Sequence, residues 1–168
     1  FIDHILLISR NFGAQKDCEY PDMNVIMNCD TPDRSSALLF GTKSPFESLK
    51  QGLLALENSG CDFAVIPCNT AHAWLSELEQ SVSIPIFNML DLTAQYINRH
   101  HPHKNWLLLS TNGTVKTNIF RETFNKHQII LNQLELESPE QERIQQAIYG
   151  TRGIKAGYNF SHHTQFTE

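Results

Sequence analysis

Phe63-Ala64-Val65-Ile66-Pro67-Cys68-Asn69-Thr70-Ala71-His72-Ala73-Trp74-Leu75 begins as an apolar run, stops at a proline, presents one cysteine and then reopens with helix-compatible residues. It reads as strand, tight turn and helix. Such a turn sets Cys68 at the carboxyl edge of a sheet, before the unpaired amides and positive dipole end of the following helix. That environment favours a thiolate and also holds a carboxylate. Acid–base chemistry on a carboxylic acid is the expectation.

Working outward, the same alternation recurs. Upstream, Ser44-Pro45-Phe46-Glu47 is a helix start, with Ser44 as cap, Pro45 at the first helical position and Glu47 completing a capping box. Leu49, Leu53, Leu54 and Leu56 form its apolar face, and Asn58-Ser59-Gly60 is a left-handed stop. Residues 1–13 read as a helix from the spacing of Ile2, Ile5, Leu6 and Ile8, and 24–28 as a short strand after the turn-prone Tyr20-Pro21-Asp22. Downstream, the spacing predicts a helix over 70–80, a strand over 84–87 and a helix over 91–98. The polar break Arg99-His100-His101-Pro102-His103-Lys104 then precedes a strand over 106–109, the loop Ser110-Thr111-Asn112-Gly113-Thr114 and a helix over 115–126. A strand over 129–131 and a helix over 140–149, entered through Ser138-Pro139, complete the pattern, and the tail from Tyr158 carries no periodicity. Alternating strands and helices argue for an α/β fold with a parallel sheet, whose ligand crevice lies at the carboxyl ends of the strands. Cys68 and Thr111 both fall there.

With 168 residues, 40% of them hydrophobic, the chain can bury a packed core of one ordinary domain or two small ones. Eighteen acidic against thirteen basic residues, net charge −5 and no basic run leave nothing to attract a phosphate backbone, so nucleic acid is not an expected partner. The apolar runs are far shorter than a bilayer span, so no membrane segment is expected. Cys18, Cys29, Cys61 and Cys68 match neither a disulfide framework nor a zinc pair and read as reduced thiols, which favours the cytoplasm. Cys61, at a helix-to-strand junction, reads as a small buried hydrophobe. His100, His101, His103, His162 and His163 lack carboxylate or cysteine partners at ligand spacing and read as solvated, so no metal is expected. Trp74, Phe46 and Phe120 read as core.

The combination Ile66-Pro67-Cys68-Asn69-Thr70-Ala71-His72, Pro32-Asp33-Arg34, Thr111 with Gly113-Thr114, and Ile148-Tyr149 followed by Gly153-Ile154-Lys155-Ala156-Gly157 resembles the cofactor-independent aspartate/glutamate racemases, in particular the aspartate racemase branch. The resemblance runs through nearly the whole chain. It implies a flavodoxin-like, parallel-sheet α/β sandwich of two pseudo-symmetric domains facing a cleft, each supplying one cysteine, without pyridoxal phosphate or metal. One thiolate removes the α-proton and the opposite thiol delivers another. Inverting a carbon centre needs a base on one face and an acid on the other, and thiols, with an unperturbed pKa of roughly 8.5, serve as either.

Residue by residue, the resemblance makes Cys68 the proton-transfer cysteine of the first domain, with Asn69 and Thr70 as donors to the substrate's α-carboxylate and Thr111 in the matching turn of the second. Arg34 and Lys155 resemble the family's basic residues that engage the two carboxylates of a dicarboxylic amino acid. Glutamate racemases usually carry a different residue after the Asn-Thr-Ala stretch, so His72 points to aspartate over glutamate; on its own it is read as structural. The family's second cysteine lies in a Gly-Cys-Thr-Glu motif that has no counterpart among these residues, and its glycine-rich first strand has none ahead of Phe1. The expectation is therefore a first domain over 1–98 lacking its first strand and the start of a second over 99–168, the chain being inactive alone. A homodimer is expected from the resemblance. Two alternatives stand beside this reading: a related isomerase or decarboxylase acting on maleate or arylmalonates, and a non-catalytic remnant.

Overall fold

The structure, a computed structural model, describes residues 10–158. Among them, the chain up to Thr31 groups with Pro45–Met89, and Pro32–Ser44 groups with the chain from Leu90 onward, giving two compact units. The segment that carries Arg34 belongs to the second unit.

In the first unit, strand β1 (Ala64–Val65) pairs in parallel with β2 (Ile86–Phe87), Ala64 opposite Ile86. Both strands are shorter than the apolar runs predict. The proline at position 67 brings no N–H to a ladder, and the Cys68 amide turns back onto the Ile66 carbonyl at 2.7 Å, which ends β1. Helix α2 (Phe46–Asn58) begins one residue later than its sequence signal, with Pro45 as N-cap. It ends as expected: Gly60 adopts φ +83°, its amide donates to Glu57 O and that of Cys61 donates to Leu56 O, a left-handed stop that satisfies the terminal carbonyls. Leu53 of α2 packs with Ala64, Ile66, Ala71, Leu75, Leu78 and Ile86, flanked by Phe46, Trp74 and Cys68. Each large side chain so buried contributes about 1.5–3 kcal/mol.

Residues 24–28 form no strand, in contrast to the sequence expectation. Val25, Ile26 and Met27 are exposed there, and the side chains of Asn24 and Asn28 bond to Ser59 and Ser48, so this stretch lies against α2 without joining a ladder. Cys61 is half-buried, with Asn24 Nδ2 3.5 Å from its sulfur, a more polar setting than the apolar one expected. Of the helix expected over 1–13, only 10–13 lie within the described residues; 10–12 are helical and Gly13, at φ +71°, is not.

In the second unit, β3 (Trp106–Leu108) pairs in parallel with β4 (Leu131–Gln133). Helix α1 (Arg34–Phe40) has no counterpart in the sequence reading, although Asp33 before it and Gly41 (φ +63°) after it are its punctuation. Helix α3 (Leu75–Glu79) follows β1 within the first unit, and helix α4 (Met89–His100), which follows β2, belongs to the second from Leu90 onward. The helix expected over 115–126 is two helices, α5 (Asn112–Thr117) and α6 (Ile119–Lys126), broken where Asn118 turns left-handed at φ 54°. Asparagine tolerates that conformation better than most residues, and the Val115 carbonyl accepts both the Asn118 amide and the Gln133 side chain of β4. Leu90, Ala94 and Ile97 of α4 meet Phe120, Phe124 and Ile129 in this unit's core. Helix α7 (Pro139–Tyr149) is capped by Ser138 and leads to a 3-10 turn, Ile154–Ala156. Among the described residues no helix is long and apolar enough to cross a membrane.

Candidate active site

Cys68 stands half-buried just past β1, its side chain against the first core. The segment behind it is a five-residue 3-10 turn, Thr70–Trp74, before the short α3, where a continuous helix over 70–80 was expected. The amides of Ala71 and His72 bond the carbonyls of Cys68 and Asn69. A long helix dipole with open amides, the basis for expecting a stabilised thiolate, is therefore replaced by a tight turn that uses its own donors.

His72 explains the turn. Its Nδ1 lies 2.9 Å from the Cys68 carbonyl oxygen, and the Met89 amide lies 3.2 Å from its Nε2. A carbonyl only accepts and an amide only donates, so the imidazole is neutral with its proton on Nδ1. Burial pushes its pKa below the ordinary value, against the opposing pull of the Cys68 carbonyl. His72 is thus a strut between the loops after β1 and β2. Asn69 is exposed and makes no capping bond, and Thr70 is buried at 6% exposure.

Arg34, Thr111 and Lys155 belong to the second unit, where Asp33 organises them. Its Oδ1 accepts from the Ser36 amide at 2.7 Å and caps α1, whose first residue is Arg34. The Arg34 guanidinium reaches the Pro32 carbonyl at 3.3 Å. Asp33 Oδ2 accepts the Tyr149 hydroxyl at 2.8 Å and lies 3.9 Å from Lys155 Nζ, which sits 3.8 Å above the centre of the Tyr149 ring. Burial acts to raise the Asp33 pKa, but bonds from Ser36 and Tyr149 and the Lys155 charge outweigh it and hold the carboxyl below its ordinary value.

A line of hydroxyls continues from this carboxylate. Tyr149 Oη lies 3.2 Å from Ser35 Oγ, which donates to Thr111 Oγ1 at 3.2 Å, and Thr111 in turn caps α5 by accepting from the Thr114 amide. Thr111 is therefore buried at 9% exposure and holds the turn together. Gly113 packs directly on α1: a Cβ there would fall 2.6 Å from Ser35 Cα. Gln141 of α7, fully buried, fixes the same loop by donating to the Ser110 carbonyl and Asn112 Oδ1.

Asp33, Ser35 and Tyr149 are the functional candidates to which sequence reasoning assigned no role. Asp33 and Tyr149 stand in the segments that carry the family resemblance, and Asp33 is also placed as an N-cap; that the two meet was not legible, since they are remote in sequence. Among the described residues no group of three or more His, Cys, Asp or Glu is arranged to hold a metal ion. His162 and His163 lie outside the described residues.

The sequence profile of the Asp/Glu/hydantoin racemase family matches residues 7–159. The chain is 31% identical over 123 residues to the broad specificity amino-acid racemase RacX of Bacillus subtilis (strain 168), a match covering 73% of this chain and 52% of that protein. It thus spans about half the length of that relative. The fold matches Picrophilus torridus aspartate racemase with a TM-score of 0.82 at 26% identity, over 97% of this chain and 66% of that one. An aspartate racemase homologue from Pyrococcus horikoshii OT3, 19% identical, has the same fold at a TM-score of 0.67, over 88% of this chain and 62% of the other. With its parallel strand pairs, the fold is the mixed α/β, two-domain flavodoxin-like type of these structures. Matched to the family profile over nearly all of its length, the chain belongs to the Asp/Glu/hydantoin racemase family.

Proposed function

We propose that this chain is part of an amino-acid racemase acting on aspartate by cofactor-independent proton transfer between two cysteines, with Cys68 as one acid–base group. The observation that carries the reading is a half-buried cysteine at the carboxyl end of a parallel strand, within the span matched to a racemase family. Arg34 and Lys155 are the cations for the substrate's carboxylates, Asn69 and Thr70 donate to its α-carboxylate, and Thr111 serves the matching turn of the second domain. Without an electron-sink cofactor, the carbanion formed when the thiolate takes the α-proton is stabilised by neutralising the α-carboxylate and by fixed donors. The division into racemase domains over 1–98 and 99–168 belongs to this reading, as do a homodimer and a cytoplasmic location. Four free thiols support the last.

Cys68 is the last cysteine of the 168 residues, so this polypeptide carries one of the two groups and exchanges the α-proton of one enantiomer without racemising it. The test is to incubate the chain with L- and with D-aspartate in D2O, following the α-proton by NMR and the optical rotation by polarimetry. Loss of the α-proton signal for one enantiomer with rotation unchanged supports the reading. No exchange with either enantiomer overturns it, and a change in double-bond geometry with maleate in place of exchange assigns the chemistry to an isomerase of the same superfamily.

A further inference from the structure

We propose that Tyr149 is a positioning residue for Lys155, its ring and hydroxyl acting with the Asp33 carboxylate to set the ammonium where it selects substrates bearing a second carboxylate. The inference rests on the racemase reading and names the device behind its preference for a dicarboxylic acid.

Lys155 lies on a three-residue 3-10 turn and has no helix to orient it. Its ammonium is located by two contacts, 3.8 Å to the centre of the Tyr149 ring and 3.9 Å to Asp33 Oδ2. The ring face attracts a cation, and Tyr149, as the last residue of α7, is a rooted platform. The ion pair is long: a charge-assisted bond closes to about 2.7–2.9 Å. The phenol proton already occupies the oxygen that faces the ammonium, at 2.8 Å, and the Ser36 amide occupies the other at 2.7 Å. Asp33 therefore holds Lys155 nearby without consuming its donors, and the lysine side chain is 41% exposed. An incoming carboxylate can take the short contact that Asp33 leaves open. Because Asp33 also caps the helix that begins with Arg34, one carboxylate indexes both cations. The arrangement differs from a plain surface ion pair, in which the two charges would meet directly and no ring would be needed.

The test uses the 168-residue chain and its Tyr149→Phe, Tyr149→Leu, Lys155→Ala and Tyr149→Leu/Lys155→Ala variants, with L-aspartate and L-alanine as probes, read by NMR titration. In the wild type the ε-methylene protons of Lys155 are shifted upfield by the ring. They remain so in Tyr149→Phe and return to ordinary positions in Tyr149→Leu. Loss of the ring weakens aspartate binding by roughly fivefold and leaves alanine binding within about twofold, and the double variant loses little beyond Lys155→Ala alone. Unshifted Lys155 protons in the wild type overturn the inference, as they would in a folded Tyr149→Phe chain. So does a Tyr149→Leu chain that binds aspartate as tightly as the wild type, or losses that add in the double variant, while the racemase reading survives either result. Failure of the wild-type chain to bind either amino acid overturns both.

Discussion

The Nδ1–H of His72 donates to the peptide carbonyl of Cys68 across 2.9 Å, so the candidate catalytic cysteine is held through its backbone by the residue four places on. The second ring nitrogen accepts from the Met89 amide, which makes the neutral imidazole the structural form. A proton added to Nε2 would face another donor and break that contact.

Stability should therefore depend on pH through His72. Its folded pKa lies below the ordinary value of 6.5, so between the two values the unfolded chain binds more protons and stability falls as the pH is lowered through that window. Melting temperatures measured from pH 8 to pH 5 should drop more for the wild type than for His72→Gln, which cannot titrate. Parallel curves would remove the strut from the account.

Replacing Cys68 by alanine should leave the fold nearly intact, because the contacts that shape the turn use its backbone amide and carbonyl. The expected loss of stability is about 1 kcal/mol or less. Exchange of the α-proton should fall by about a hundredfold or more, as for removal of a general base. Deuterium exchange that persists in the variant would move the chemistry to another residue.

Asp33→Ala should cost about 0.5–2 kcal/mol in denaturant titrations through loss of the α1 cap. Asp33→Asn should cost less, since asparagine caps equally well; it gives up the charge facing Lys155 and the second carboxylate oxygen, which accepts the Tyr149 hydroxyl. The folded Asp33 pKa lies below 3.8, so the carboxylate's contribution is fully present above that value and disappears as the pH falls through the folded pKa. The gap between wild type and Asp33→Asn should close in that acid range. A gap that widens on acidification contradicts the assignment.

Gly113→Ala should destabilise by about 1–3 kcal/mol, the usual result of forcing a methyl into a filled contact. The new Cβ would meet Ser35 Cα at 2.6 Å as well as its side chain, so Ser35→Ala in the same chain should not restore stability. Chemical denaturation of the single and double variants measures this; full rescue would mean that only the serine hydroxyl stands in the way.

Much of this architecture was legible beforehand. Apolar runs ending at Pro67 and at Ser110, the stop at Gly60 and the Ser138-Pro139 start are local signals, set by the backbone freedom and hydrogen-bonding capacity of one or two residues. What escaped was non-local or competed with the local pattern. Residues 24–28 have strand composition without a ladder to join. Periodicity carried one helix through 115–126 because it does not register a single left-handed asparagine at 118. Helix α1 was missed although Asp33 and Gly41 bracket it, for its seven residues are too few to establish a period.

The sequence by itself determined the alternation of strands and helices from β1 onward, the parallel pairing that such an order requires, and the motif of Cys68, because each depends on neighbours along the chain. Only the tertiary structure decided that Asp33 and Tyr149, 116 residues apart, share a hydrogen bond that sets Lys155, and that Met89 supplies the far support of His72. These partners are brought together by the path of the folded chain, and the free energy of a hydrogen bond or ion pair is realised only where that path closes the distance.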